Sequence, residues 1–296
     1  MTSAPMTSAT ASPRLSRRLG EGAFLIGCWV ATIVALIALA AILTSLLGKG
    51  IGGFFRPDTH GFDVRIFTMS TPAPGSEGGL LNAILGSVMM CAVAMFGAVI
   101  VGYLAGTWLS EFAGESRYGK VIRFLNDVLL SAPSILVGLF VYEILVAPLK
   151  GFSGLAGSVA LGLIAAPVIT RTTEDVLKLQ PTALREASVA LGAPIWRTIF
   201  AVIWKSAGAG MLTGALLAFA RISGETAPLL FTALNNQFLS LDLTKPTANL
   251  PVVIANFALT AYDDWRRLAW TAALLITATV LVVTVCARLL LRGNRS

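Results

Sequence analysis

Six stretches of this sequence are each long and apolar enough to cross a lipid bilayer as a helix, and they constrain the fold more than any other feature. The hydrocarbon core of a bilayer, about 30 Å thick, requires roughly 20 consecutive apolar residues. The six stretches are residues 24–47, 80–109, 125–149, 155–176, 208–233 and 268–291. Hydrophobic residues make up 56% of the chain and charged residues only 12%, whereas a soluble domain carries about 25% charged residues. The sequence therefore predicts an all-α integral membrane protein with six transmembrane helices.

The orientation of these helices follows from the positions of the basic residues. The first stretch is too long for a cleaved signal peptide and no small-residue cleavage site follows it, so we interpret residues 23–48 as the first transmembrane helix. If the N-terminus is cytoplasmic, the inner segments hold twice as many Lys and Arg residues as the outer ones, which is the bias of cytoplasmic loops. Both termini are thus expected in the cytoplasm, with residues 1–22 as a disordered tail, 49–79 as an external loop and 293–296 as a second tail.

Local patterns add two structural expectations. Small residues recur four positions apart, as in Gly102/Gly106 and Gly210/Gly214, and this spacing lets helix backbones approach closely in lipid. Residues 234–267 form a second long outer connection, and its apolar stretch 252–259 is too short to cross the membrane. That stretch predicts a short interfacial or re-entrant helix.

The sequence carries no recognisable catalytic or metal-binding constellation. Residues 114–121 nearly spell a phosphate-binding P-loop, but the last position is Val121 instead of Ser or Thr, and no strand precedes the segment. The cysteines, Cys28, Cys91 and Cys286, lie in apolar stretches and the single histidine is His60. A disulfide framework and a zinc cluster are therefore not expected. We expect no metal, no cofactor and no enzymatic activity of the chain itself.

The inner segment 180–206 has an unusual mixed character. Apolar residues recur at helical spacing with charged residues between them, and Gly192 and Pro194 interrupt the pattern. This predicts two short helices that meet at a turn. The pair could simply rest on the inner leaflet, or it could dock a cytoplasmic partner.

Two ionisable residues, Arg221 and Glu225, fall within the fifth apolar stretch at a spacing that places them on one helix face. Each ionised group in mid-membrane costs roughly 2.5–3.5 kcal/mol on insertion scales, so such groups should face the protein interior or a watery path. They could form a structural salt bridge, or Arg221 could meet an anion such as phosphate, because a guanidinium pairs well with tetrahedral oxyanions. Of the other membrane carboxylates, Asp127 is expected to be an interfacial cap or a partner of Arg123, and Glu143 to line a vestibule or meet water.

A resemblance to a known family favours the functional alternative for both the inner segment and the Arg221–Glu225 pair. The segment Glu186-Ala-Ser-Val-Ala-Leu-Gly192 resembles the EAA loop of ABC-importer permeases, which in that family sits in a cleft of the ATPase subunit. Ser188 stands where the motif has a second Ala, and Lys205 stands where it has Pro. The segment Arg221-Ile-Ser-Gly-Glu-Thr-Ala-Pro-Leu-Leu-Phe-Thr-Ala233 is similar to the signature of the A-type permease subunit (PstA family) of the phosphate-specific ABC importer.

The resemblance implies the type I ABC importer permease (MetI-like) fold, with the permease domain over residues 80–292. It also implies two groups of site residues. The substrate pathway would include Arg221, Glu225 and Thr226. The ATPase coupling loop would include Glu186, Ala187, Ser188, Gly192 and Lys205.

The same resemblance implies the partners of the chain. These are a second, C-type phosphate permease, two copies of a phosphate ABC ATPase that bind ATP and Mg²⁺, and an extracytoplasmic phosphate-binding protein, all at the bacterial inner membrane. The function implied is a permease subunit that forms half of an ATP-driven pathway for inorganic phosphate. The alternatives are a type I permease for another oxyanion or an organic substrate, a proton-coupled secondary carrier, and a membrane sensor.

Overall fold

The computed structural model describes residues 15–55 and 61–293, and the regular secondary structure of these residues is helical, without a strand. The helices are α1 (Leu15–Gly53), α2 (Arg65–Thr68), α3 (Leu81–Glu111), α4 (Arg117–Ser131), α5 (Ser134–Leu149), α6 (Gly154–Lys178), α7 (Thr182–Ala190), α8 (Ile195–Ser223), α9 (Ala227–Thr232), α10 (Leu250–Ala258) and α11 (Asp263–Gly293). Helices α5 and α8 each include one π-helical turn. The all-α fold expected from the sequence is confirmed.

The first helix begins earlier than the sequence predicted. Residues 1–14 of the expected tail and residues 294–296 of the second tail lie outside the described residues, but α1 already begins at Leu15. The sequence has no proline between residues 15 and 53, so no proline interrupts the helix before Gly53. The residues up to Gly48 form a compact unit of their own. Their apolar side chains are exposed, as with Phe24 at 72% and Trp29 at 64%, which is typical of a helix surrounded by lipid.

Within residues 15–55 and 61–293, five helices are long and apolar enough to cross a membrane, namely α1, α3, α6, α8 and α11. Helices α4 and α5 are apolar enough only when taken together, and they are bent by 105° at their junction, which is the geometry of a broken span or of a re-entrant loop. The expectation of one transmembrane helix over residues 125–149 is therefore wrong, because two helices share this stretch. Proline disfavours helical backbone at the residue before it, and Ala132, which precedes Pro133, is extended with ψ 135°.

The fifth crossing also differs from the sequence prediction of residues 208–233. The helix begins at Ile195, so the second of the two expected short inner helices is the start of α8, and the first is α7. It ends at Ser223, ten residues before the predicted end. Gly224 caps the helix, and Pro228 stands in the first turn of α9, a position that proline favours.

Helix α6 lies at the centre of the bundle. Of its most apolar stretch, 67% is buried, against 22% for α3 and for α11. Gly102 and Gly106 bring α3 close to α6, and Gly210 and Gly214 bring α8 close to it from another direction. Both glycine pairs thus provide the close helix contacts that their spacing predicts, and both are directed at the same helix.

The bundle of residues from Lys49 onward has two ends, which we name by the short helix at each. The α7 end contains the last residue of α3, Glu111, and the last residue of α6, Lys178. The α10 end contains the first turns of α3 and α6 and the short helix expected near residues 252–259. That helix, α10, packs against α11 and α3, and Asn249 caps its N-terminus by accepting a hydrogen bond from Val252 N at 2.9 Å.

Candidate functional site

The break between α8 and α9 interrupts the helical backbone within the membrane-spanning region. Ser223 and Ile222, just before it, lie beside Cys91 of α3 and Leu161 of α6. Since α6 begins at Gly154 and a helix rises about 1.5 Å per residue, the break lies roughly 10 Å inside the α10 end. Irregular backbone at membrane depth is tolerated only where protein covers it or where it lines a watery cavity.

The break carries the three residues expected in a substrate pathway. Arg221 is in the last turn of α8, whereas Glu225 and Thr226 lie beyond the end of the helix. The expectation that Arg221 and Glu225 share one helix face is therefore wrong, although Arg221 Nε is still 3.8 Å from Glu225 Oε1. The Arg221 side chain is 40% exposed and that of Glu225 is 17% exposed. Thr226 is half-buried, and its hydroxyl does not cap α9.

Arg221 differs from two other arginines of the bundle in its bonding. Arg123 donates to Glu174 at 2.6 Å and to the carbonyls of Gly114 and Leu109, each at 2.9 Å. Arg185 likewise uses all its nitrogens. Among the described residues, the side chain of Arg221 makes no hydrogen bond and has only the long ion pair with Glu225. Its guanidinium donors are thus available to a ligand.

A close contact between α5 and α9 fixes the far side of the break. A Cβ atom on Gly138 would lie 2.6 Å from Pro228 Cα, which is closer than Cβ atoms come to backbone in real proteins. Only glycine lets α5 approach α9 this closely. The position of the Glu225–Thr226 segment therefore depends on residue 138 being a glycine, which has no side chain.

An apolar cavity of about 340 Å³ lies beside the break, between α3, α8 and α11. Its polar lining atoms belong to uncharged residues, including Cys91 and Ser223, and Arg221 does not line it. An unpaired anion is costly to bury in such surroundings. The candidate anion site is therefore the break itself and not this cavity.

The residues expected in the coupling loop lie at the α7 end. Glu186, Ala187 and Lys205 are exposed, whereas Ser188 is buried. Gly192 follows α7 with a φ of +78°, a conformation that glycine adopts without strain. The segment presents apolar side chains outward, with exposed fractions of 56% for Val189, 88% for Leu191, 63% for Ile195 and 64% for Trp196. Such an exposed apolar patch marks an interaction surface.

The side chains that hold this end together were not identified from the sequence. Glu174 is 1% exposed and accepts hydrogen bonds from Arg123 and from Lys178, both at 2.6 Å. The four-residue spacing of Glu174 and Lys178 was a usable signal, but the contact with Arg123 is 51 residues away along the chain. The expected pairing of Asp127 with Arg123 is wrong, since the nearest cation to Asp127 is Arg171 at 3.9 Å.

At the α10 end, a buried amide joins the segment 61–79 to the segment 234–249. Asn82, 3% exposed, donates to Thr71 Oγ1 at 2.9 Å and to Asn236 O at 2.7 Å, and it accepts from Thr71 N at 3.0 Å. At the same end, Asp63 accepts a hydrogen bond from Arg65 at 2.9 Å and lies 3.5 Å from Arg267 of α11. Residues 61–79 and 234–249 are therefore ordered parts of this end.

Comparison with known proteins agrees with this architecture. Residues 98–295 match the family model described as binding-protein-dependent transport system inner membrane component. Two structures of the MetNI methionine ABC transporter in inward-facing conformations share the fold; for one, the TM-score is 0.61 at 19% identity, over 72% of this chain and 95% of the other. The family model, over two thirds of the chain, thus defines the class, which is a multi-pass inner-membrane permease.

Curated relatives specify the group within this class. A PstA phosphate transport system permease of Pasteurella multocida is 49% identical over 92% of this chain and 95% of its own length. That of Haemophilus influenzae is 47% identical over 90% and 92%, and a probable PstA of Methanocaldococcus jannaschii is 33% identical over 94% and 96%. The chain belongs to the PstA family of phosphate transport permeases.

Proposed function

We propose that this chain forms half of a transmembrane pathway for inorganic phosphate and that Arg221 is the residue that meets the anion. The observation that carries the proposal is the bonding of Arg221. Its guanidinium is 40% exposed at a helix break within the membrane-spanning region, and its one ion pair among the described residues is 3.8 Å long. The names of the relatives, phosphate transport permeases, support phosphate as the anion.

The chemistry of the break suits an anion that must be bound and then released. A guanidinium offers parallel N–H donors that match two oxygens of a tetrahedral oxyanion. Glu225 keeps the empty site close to neutral and repels a bound anion. Conduction requires binding that is strong enough to admit the ion and weak enough to let it leave. Thr226 would supply a further hydroxyl donor beside the pair.

The energy for transport would come from ATP hydrolysed on partner chains, so this chain acts as a permease subunit and not as an enzyme. The partners expected are a C-type phosphate permease, two copies of a phosphate ABC ATPase and an extracytoplasmic phosphate-binding protein. The exposed patch of Val189, Leu191, Ile195 and Trp196 at the α7 end supports docking of an ATPase there. Glu186, Ala187 and Lys205, exposed around this patch, would contact the same subunit.

The orientation that fits these roles places the α7 end in the cytoplasm and the α10 end outside. The distribution of Lys and Arg over the loops supports it. The binding protein would then dock on the segment 234–249, which exposes Phe238 at 80% and Leu241 at 67%. Asn82 holds this segment in place through the carbonyl of Asn236.

The test compares Arg221 variants in the assembled transporter, with complex assembly and phosphate uptake measured side by side. If Arg221 meets phosphate, Arg221→Gln with Glu225→Gln assembles but transports poorly, and Arg221→Lys keeps part of the uptake because it retains the charge without the paired donors. Arg171→Gln is the matched control, because Arg171 is 44% exposed but already paired with Asp175 at 3.2 Å. We expect this control to transport normally.

Full uptake by the double variant would show that the Arg221–Glu225 pair is only a structural salt bridge and that Arg221 does not bind phosphate. Sulfate that competes as well as phosphate would indicate a permease for another oxyanion. Uptake by proteoliposomes that lack the ATPase subunits would indicate a secondary carrier.

A further inference from the structure

We propose that the ion pair between Arg185 of α7 and Glu111 of α3 is a strut that transmits movement of α7 into the bundle. The proposal rests on the proposed function in one respect, namely that an ATPase subunit docks at α7. It assigns to Arg185 and Glu111 a positioning role in coupling. Neither residue is placed in contact with phosphate or with ATP.

The pair has the geometry of a rigid connection. Arg185 Nη2 is 2.6 Å from Glu111 Oε1, and Arg185 Nε is 2.9 Å from Glu111 Oε2. Two parallel bonds fix the relative orientation of both groups, whereas a single ion pair can pivot. The Glu111 side chain is only 10% exposed and that of Arg185 26% exposed, so water screens the pair weakly.

The remaining donors of Arg185 bind the end of α6. Arg185 Nη1 donates to Gln180 O at 2.9 Å, and Nη2 also donates to Leu177 O at 3.0 Å. The last carbonyls of a helix lack partners within that helix. The Arg185 side chain therefore binds the end of α6 and the last residue of α3 at the same time.

The two sides of α7 have different surroundings. The exposed side carries Glu186 and Val189 and is free to bind a partner. The inner side is attached to α3 through Arg185 and to α8 through a 2.8 Å hydrogen bond between the hydroxyls of Ser188 and Thr198. A force on the exposed side has these two routes into the bundle.

The route through Glu111 leads to the candidate anion site. Helix α3 is continuous from Leu81 to Glu111, and its residue Cys91 lies beside Ser223, just before the break. Helix α3 is packed along α6 through Gly102 and Gly106. A displacement of α3 at Glu111 is therefore transmitted along the helix towards Cys91. The strut thus connects α7, where the ATPase is proposed to dock, to α3, which lies beside the last turn of α8 that carries Arg221.

The experiment separates coupling from stability by measuring phosphate uptake, ATP hydrolysis and ATPase retention in the assembled transporter. Glu111→Gln keeps the size of the side chain but weakens the paired bonds. We expect normal assembly and hydrolysis, with phosphate transported per ATP reduced about tenfold, within the usual range of coupling effects. Arg185→Lys, which keeps the charge and loses the fork, should give an intermediate ratio.

The matched control is Glu115→Gln, which breaks the Lys120–Glu115 pair at the same end. That pair is 3.1 Å long, with side chains 63% and 90% exposed, and its loss should leave the ratio unchanged. If Glu111→Gln does not accumulate in the membrane, Glu111→Asp is measured in its place. Its shorter side chain keeps the charge but lengthens the two hydrogen bonds to Arg185. An unchanged ratio in the strut variants, or equal losses of hydrolysis and uptake, overturns the strut alone. Failure of the unaltered chain to retain the ATPase overturns the proposed function.

Discussion

The hydroxyl oxygens of Ser188 and Thr198 lie 2.8 Å apart, and both side chains are buried where α7 meets α8. This contact gives a physical reason for one departure from the EAA pattern, the serine in place of its second alanine. An alanine at residue 188 would remove one partner and leave Thr198 with a 3.4 Å contact to Pro194 O. The serine therefore links α7 to the start of α8, the long helix that carries Arg221.

Ser188→Ala should lower the stability of the solubilised chain by about 1 kcal/mol, the usual net loss for one buried hydrogen bond. Thermal unfolding of the purified protein measures it. Ser206→Ala is the control, since Ser206 is exposed and its hydroxyl bonds only to Gln180 in the described structure. An equal loss in both variants would argue against a special role for the buried pair.

Variants of the exposed coupling surface should detach the ATPase without preventing insertion. Gly192 has a φ of +78°, and its N–H donates to Val189 O at 2.8 Å, so Gly192→Pro removes both the conformation and the donor. Glu186→Lys reverses an exposed charge. We expect both chains in the membrane at normal levels but with little ATPase in copurification. Normal uptake with normal ATPase retention would remove the coupling role of this loop.

Gly138→Ala should be destabilising even though alanine favours helix. The added Cβ would meet the Pro228 backbone at 2.6 Å, and such overpacking typically costs about 1–3 kcal/mol. At Gly97 of α3, nothing lies within 4 Å of an added Cβ, so Gly97→Ala should gain roughly 0.5–1 kcal/mol. Thermal unfolding of the two variants compares them directly, and a stabilised Gly138→Ala would show that the α5–α9 contact is loose.

The ion pair of Asp63 predicts a pH dependence of stability at the α10 end. Burial raises the pKa of the Asp63 carboxyl, but the hydrogen bonds and charge of Arg65 and the charge of Arg267 outweigh it and hold the pKa below its ordinary value of 3.8. The folded form therefore binds the proton more weakly than the unfolded form. The stabilisation is present above about pH 4 and is lost as the pH falls through the lowered pKa.

The comparison of the unaltered chain with Asp63→Asn measures this contribution. Near pH 7 the variant should be less stable by about 3 kcal/mol, because it breaks a buried pair on one side. The difference should shrink as the pH falls below 4. A difference that stays constant from pH 7 to pH 3 would mean that Asp63 acts only through packing.

Cysteine labelling tests the orientation, in a chain whose Cys28, Cys91 and Cys286 are replaced by serine. Leu259 is 91% exposed at the α10 end and Leu179 is 80% exposed at the α7 end. A membrane-impermeant maleimide added to intact cells should label Leu259→Cys and not Leu179→Cys. Labelling with the opposite preference would invert the assignment of the two ends.

Hydropathy predicted the helical class and five of the apolar helices that are long enough to cross a membrane, because lipid imposes the same requirement of length and apolarity on every span. It could not predict the bend at Pro133 or the end of α8 at Ser223, because both apolar stretches continue through these points. The signals were present locally, in Pro133 itself and in Gly224 followed by Pro228. Each signal changes the direction of the backbone without changing the hydropathy.

Which arginine is available to a ligand could not be predicted, because it depends on contacts between distant residues. Arg185 is bonded to Glu111, 74 residues away, and Arg123 to Glu174, 51 residues away. Arg221 lacks such a partner among the described residues. The family resemblance placed Arg221 in a pathway, but only the tertiary structure separates it from arginines that are fully used in holding helices together.

The bend between α4 and α5 has a consequence for the order in which the protein is built. Helix α4 has 15 residues, fewer than the roughly 20 needed to cross a bilayer alone, so neither half of the pair is a self-sufficient insertion signal. The surfaces against which the pair packs belong to α6 and α9, which the ribosome makes later. The packing of this bent pair is therefore completed only after α6 and α9 have been synthesised, so its final conformation forms later than its place in the sequence suggests.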